Sequence, residues 1–173
     1  FMFAMGLSVA AMIRVANQKG LEDYNKLRLV AVSIFLLGAI MAVGFAIFFM
    51  LFHVELPKLF VDMKDVSTLV ENTEVVTIAA ELLLIAAVFQ ISDSLQVVAL
   101  GALRGLQDVK IPMYMTFFSY WIVGFPISIY LGIYTSLGAS GIWIGLLAGL
   151  TTASVLLFIR FNYLTKKLIK NQV

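Results

Sequence analysis

The stretch Ile111–Ile159 reads IPMYMTFFSYWIVGFPISIYLGIYTSLGASGIWIGLLAGLTTASVLLFI and contains no charged side chain. About 20 apolar residues suffice to cross the ~30 Å hydrocarbon core of a bilayer. The stretch is therefore too long for one crossing and too apolar for the surface of a water-soluble domain. Its middle, Tyr134-Thr135-Ser136-Leu137-Gly138-Ala139-Ser140-Gly141, gathers small and turn-forming residues. A break there divides the stretch into two spans, 111–133 and 142–159.

The same reading extends outward. Val75–Leu103 is apolar except for Glu81 and Asp93, and Leu29–Phe52 carries no charge. Phe1–Ile13 is apolar but short and reads as the last part of a span. The chain opens inside that apolar stretch, without a charged leader, so it is expected to be a piece of a longer protein. Spans at 1–13 (partial), 29–52, 75–103, 111–133 and 142–159 result. Composition agrees: 62% of residues are hydrophobic and 13% charged, with mean hydropathy +1.02, against about a quarter charged in soluble domains. Continuous apolar runs, rather than strict alternation, exclude a transmembrane barrel. The expected fold class is all-α integral membrane.

Charge supplies the orientation. Arg14, Lys19, Lys26 and Arg28 follow the first span. Arg104 and Lys110 lie between the third and fourth, and Arg160, Lys166, Lys167 and Lys170 follow the last. These segments alternate correctly to share one side. The other side holds Lys58 and Lys64 against Glu55, Asp62, Asp65, Glu71 and Glu74. The positive-inside rule makes the basic side cytoplasmic, with the C-terminus on it. Glycines 38 and 44, and 141, 145 and 149, are expected at close helix contacts.

Chemistry concentrates in the third span, which holds Glu81, Gln90, Ser92, Asp93, Ser94 and Gln96. A carboxylate at membrane depth costs at least ~2.5–3.5 kcal/mol, so something must offset it. Glu81 sits near the outer end, whereas Asp93 lies well inside the run. At 3.6 residues per turn, Leu82, Ala86, Phe89, Asp93, Gln96 and Leu100 share a face. Asp93 is read as a carrier of a proton or a sodium ion. The alternative is that it belongs to an interhelical hydrogen-bond network. Phe89, Gln90 and Gln96 are candidates to line a path beside it. Pro126, inside the fourth span, predicts a kink that is either a hinge or static. With no cysteine and one histidine, His53, neither a disulfide nor a zinc site can form. No nucleophile with a partnered base, phosphate loop or basic nucleic-acid face is present, so neither an enzyme nor a nucleic-acid-binding protein is expected.

The pattern Gln90-x-x-Asp93-x-x-Gln96-x-x-x-x-Gly101-x-Leu103-Arg104-Gly105-x-x-Asp108-x-x-x-Pro112 resembles the tenth helix and following loop of the multidrug and toxic compound extrusion (MATE) family, NorM branch. Ile13-Arg14-Val15 with Gly20 resembles the end of that family's eighth helix. Tyr120-Trp121 with Gly124 and Pro126 resembles its eleventh. Gly141-Ile142-Trp143-Ile144-Gly145 with Gly149-Leu150 resembles its twelfth.

The resemblance implies a twelve-helix transporter of two six-helix lobes. Residues 1–173 would form the C-terminal part of the second lobe, from late helix eight to helix twelve. It implies export of cationic amphipathic drugs or dyes in exchange for sodium or protons, without a cofactor, from the cell membrane. It gives the cation-coupling role to Asp93. The position of Phe89 is often tyrosine in the family, and a second coupling carboxylate is expected on helix seven, outside this chain. Arg104, Asp108 and Lys110 are expected to fix the cytoplasmic loop. The partners implied are small cationic molecules, membrane lipid and an N-terminal lobe. Two other readings stand beside this one: a lipid-linked-oligosaccharide flippase of the same superfamily, which would need a cationic cavity, and a non-transporting membrane receptor or scaffold, which would not need Asp93.

Overall fold

The computed structural model describes residues 1–61 and 69–171. In order, the elements are α1 (Met2–Gly20), α2 (Tyr24–Phe52), α3 (Glu55–Lys58), α4 (Leu69–Gly105), α5 (Lys110–Phe118), a π-helical turn (Ser119–Gly124), α6 (Phe125–Ile133) and α7 (Gly138–Lys170). Among the described residues there is no strand. Four segments are long and apolar enough to cross a membrane: Tyr24–Phe52, Asn72–Gly105, Lys110–Ile133 and Gly138–Lys170. Only helices that satisfy their own backbone can do so as single segments. The helices outrun the apolar stretches, because α4 begins at Leu69 and α7 continues past Arg160 to Lys170. Of the outer segment 53–74, residues 62–68 lie outside the described residues.

α4 is the centre of the bundle and packs on α1, α2 and α7, while α5, the π turn and α6 pack on α7. The α1–α4 contact is close. A side-chain carbon at Gly101 would collide with the Ser8 carbonyl, and one at Gly105 would come within 2.6 Å of the Met12 carbonyl. The Ser8 hydroxyl donates to the Val97 carbonyl at 2.8 Å across this seam.

Along α7 the buried residues recur every four: Gly141, Gly145, Gly149, Ala153, Leu157, Phe161 and Thr165. Their size grows along the helix. At the glycine end α6 and the π turn come close. A side-chain carbon at Gly145 would strike Ser128, one at Gly149 would lie 2.8 Å from Gly124 Cα, and one at Gly141 would lie 2.5 Å from the Leu131 carbonyl. At the other end Leu157 and Phe161 fill the space among Val15, Leu27, Ala31, Phe35 and Leu103. Phe35 meets the rings of Phe158 and Phe161 edge-on at 5.5 and 5.3 Å. A side-chain carbon at Gly38 would lie 3.4 Å from Ser94 and Val98, whereas one at Gly44 would meet nothing within 4 Å. Among the described residues Gly44 therefore does not have the packing role expected of it: it faces away from the contact made by its buried neighbours Ala42 and Ala46.

The break expected over 134–141 is shorter in the structure. The turn occupies Tyr134–Leu137, and α7 already begins at Gly138, whose φ of +53° suits a residue without Cβ. The fourth span is irregular one turn before Pro126. Pro126 has no N–H to give Ile122. The hydrogen-bond register slips there, and the Phe125 N–H bonds to the Tyr120 carbonyl five residues back.

The basic segments meet at one end of the bundle. Lys19 donates to the Leu106 carbonyl at 2.8 Å and to Gln107 Oε1 at 3.1 Å. Arg28 reaches Asn162 at 3.5 Å, and Arg160 pairs with Asp108 at 2.8 Å. α1 and α4 both end at this face with the chain turned through a left-handed residue, Glu22 (φ 56°) and Gln107 (φ 64°). The Asp23 and Asp108 N–H groups reach back to the Gln18 and Leu103 carbonyls, which closes each helix end.

Replacing Gly145 by Leu is expected to lower the thermal unfolding midpoint of the full-length protein in detergent, with overpacking costing roughly 1–3 kcal/mol. Gly44→Ala, placed in open space, should leave that midpoint unchanged.

Candidate functional site

α4 carries its polar residues where the other helices converge. Ser94, buried, donates to the Gly38 carbonyl of α2 at 3.2 Å. Ser92 shares a hydrogen bond of 2.9 Å with Thr151 of α7. Gln96, also buried, accepts from the Tyr120 hydroxyl of the π turn at 2.7 Å. Phe89 sets its ring edge-on to Trp143 of α7, with centroids 5.9 Å apart. Each polar side chain is thus fastened to a different neighbour, as groups in hydrocarbon must be.

Asp93 sits among them half-buried. Among the described residues no hydrogen-bond donor or cation is seated on its carboxylate; the ion pairs Lys58–Glu55 and Arg160–Asp108 lie elsewhere. The network alternative from the sequence is therefore met by Ser92, Ser94 and Gln96, with Asp93 left out of it. The Tyr120 hydroxyl joins this cluster through Gln96, three residues from Asp93 on α4. Ile111–Ile159, Leu29–Phe52 and Phe1–Ile13 supply no charge to this region.

Beside this cluster α4 and the span 110–133 stand apart. Both rest on α7, and direct contact between them is sparse. Toward the basic end the gap becomes a cavity of about 220 Å³ lined by Leu100, Arg104, Asp108, Pro112, Met113 and Thr116. Gln96, Leu100 and Arg104 follow one another down α4 at four-residue intervals, so one stripe runs from the Asp93 region into the cavity. The carboxylate, amide and hydroxyl oxygens of Asp93, Gln96 and Tyr120 are the ligand types that suit a hard cation such as sodium. Among the described residues no cluster of three His, Cys, Asp or Glu side chains could hold a metal ion.

The other residues singled out from the sequence separate. Gln90 is half-buried on α4, and Glu81 is exposed. Pro126 is exposed at the start of α6. Asp108 is tied to α7 through Arg160, whereas Arg104 and Lys110 are exposed. The shared face expected for Phe89 and Gln96 divides between two neighbours, because α7 crosses beside Phe89 and the π turn beside Gln96. Two polar groups were not anticipated, Tyr120 and Thr151. A hydroxyl in mid-span is the signal both share, but their partners are distant in the chain.

These features define an all-helical, multi-pass membrane protein with a polar centre on its middle helix. The sequence profile of the MatE family matches residues 1–130, and the chain belongs to that family. It is 39% identical over 166 residues to the "Probable multidrug resistance protein NorM" of Rhodopseudomonas palustris, covering 96% of this chain and 34% of that protein. It is 34% identical over 171 residues to the "Multidrug resistance protein MdtK" of Proteus mirabilis, covering 96% and 35%. The chain thus spans about a third of the length of these relatives. Its fold matches the structure titled "Inward-facing conformation of a multidrug resistance MATE family transporter of the MOP superfamily" with a TM-score of 0.82, at 19% identity, over 98% of this chain and 37% of that one. It matches the corresponding outward-facing structure with the same TM-score, at 18% identity, over 96% and 36%. Both matched structures are titled as MATE family transporters.

The Arg160–Asp108 pair is mostly buried, with side-chain exposures of 19% and 16%. Asp108→Asn or Arg160→Met alone is expected to cost about 2 kcal/mol, less than a fully buried pair because some solvent remains. The double variant Asp108→Asn/Arg160→Met should lose less than the two singles added together, measured as unfolding midpoints of the full-length protein.

Proposed function

We propose that the protein to which this chain belongs is a secondary active multidrug efflux antiporter that exports cationic amphipathic compounds in exchange for sodium or protons. The chain provides the C-terminal part of the second of two lobes in a twelve-helix fold, and an N-terminal lobe completes the drug path. The observation that carries this reading is Asp93, a carboxylate deep in the hydrocarbon whose polar neighbours are satisfied while it is left without a partner. A retained charge of this kind is a functional site by default in membrane proteins.

The mechanism is competition for facing states. A cation on Asp93 favours one state and a bound drug favours the other. Each shifts the equilibrium only by its difference in affinity between the two. Phe89, Gln90 and Gln96 line the path beside Asp93, and the π turn before Pro126 gives the fourth span its flexible point. The basic end of the bundle faces the cytoplasm of the cell membrane, and the C-terminus lies there. A flippase for lipid-linked pyrophosphate is less well supported. Two of the cations that such a cavity would need, Lys19 and Arg160, are engaged in capping and pairing at the helix ends.

Gradient-driven efflux of ethidium or norfloxacin by the full-length protein tests this. Asp93→Asn, which keeps shape and removes the charge, is expected to abolish the response to an imposed sodium or proton gradient. Unchanged gradient-driven efflux would remove Asp93 from the mechanism.

A further inference from the structure

The π turn decides where Tyr120 points. Ser128 and Gly124, four residues apart, face α7: Ser128 abuts Gly145, and Gly124 abuts Gly149. A regular α-helix would place the next residue four back, Tyr120, on that same side, one turn further along α7. Here the wider turn inserts one residue. Ser119, fully buried, takes the place instead, and a side-chain carbon at Gly149 would meet its carbonyl at 3.1 Å. One residue is worth about 100° of rotation. Tyr120 is thereby turned away from α7 and brought to α4, where its hydroxyl donates to Gln96 at 2.7 Å.

That hydrogen bond spans the gap between two helices that otherwise have little direct contact. It lies one turn from Asp93 along α4. The segments packed around this part of α4 bring no charged side chain. Gln96 and Tyr120 are thus among the uncharged polar groups that can determine how firmly a cation is held beside Asp93. A Tyr120 hydroxyl occupying the Gln96 oxygen holds the amide in one orientation. It also keeps a second uncharged oxygen, its own, at the site.

We propose that Tyr120, aimed by the π-helical turn, is a positioning residue that fixes Gln96 beside Asp93 and so sets the affinity for the coupling cation. This rests on the antiporter reading above. It assigns a role to a residue of the fourth span and gives the π turn a reason to exist at this position.

The test uses the full-length protein and whichever imposed gradient, sodium or proton, drives ethidium efflux. The half-saturating concentration of that cation is measured separately from the KM for ethidium. Tyr120→Phe removes one hydroxyl and keeps the ring. It should raise the half-saturating cation concentration about fivefold, the factor one net hydrogen bond is worth. The ethidium KM should hold. Gln96→Met should shift the same quantity, and the double variant should go no further than the larger single, since both break one bond. If Tyr120→Phe fails to accumulate, Gln96→Met carries the same expectation. Tyr130→Phe, exposed and stacked on Tyr134, should behave as wild type.

A wild type with no gradient-driven efflux overturns both this role and the antiporter reading. A gradient-driven wild type, an inactive Asp93→Asn variant and a Tyr120→Phe variant with unaltered cation dependence would overturn the Tyr120 role alone. So would a change confined to the ethidium KM, or single-variant shifts that simply add.

Discussion

Ser92, Ser94 and Gln96, which α4 carries into the hydrocarbon, each find a partner on another helix, and that requirement arranges the helices around it. Backbone groups are satisfied within each helix, so they say nothing about which helix lies beside which. Side-chain hydroxyls and amides do. Ser94 reaches α2, Ser92 reaches α7, Gln96 receives Tyr120, and the carbonyl of Val97 receives Ser8 of α1. A helix that bonds to four surrounding elements within six residues is locked in rotation as well as in depth. Asp93, in the middle of this girdle, is held in place by its neighbours' bonds without making one itself.

Packing completes what the polar contacts begin. In lipid no hydrophobic force drives two apolar helices together, so close contact depends on shape. The stripe on α7 that grows from Gly141 to Phe161 provides two shapes on one helix. Its glycine end admits the backbone of α6 and the π turn, and its bulky end fills the space among α1, α2 and α4. The span 110–133 therefore clings to α7 and leaves a gap toward α4, which Gln96, Leu100 and Arg104 line on one side. The gap follows from packing α7 tightly at one end and α4 tightly at the other.

Much of this was legible in the residue order. Uncharged runs mark the spans because charge in hydrocarbon is costly, and Arg14, Lys19, Arg104 and Arg160 had to share a face because alternate loops do. Asp93 stood out because nothing else in the sequence offset it. Gly145 and Gly149 were legible as contacts, but Gly44 was not distinguishable from them, since a glycine signals closeness only if a neighbour comes near. Pro126 pointed to an irregular span without locating it. A missing N–H frees a carbonyl upstream, and how the helix repairs that depends on what lies against it.

Sequence by itself determined that the chain crosses a membrane as helices, which ends lie together, and that one carboxylate lies deep among apolar residues. Those properties depend on local composition and on the cost of burying charge. Only the tertiary structure decided which groups meet the polar residues around that carboxylate. Tyr120 lies 24 residues from Gln96 and Thr151 lies 59 from Ser92. Each pair depends on helix rotation, which changes by about 100° with every residue. One extra residue in the π turn is enough to move the phenol from α7 to α4, and no pattern of hydropathy records it.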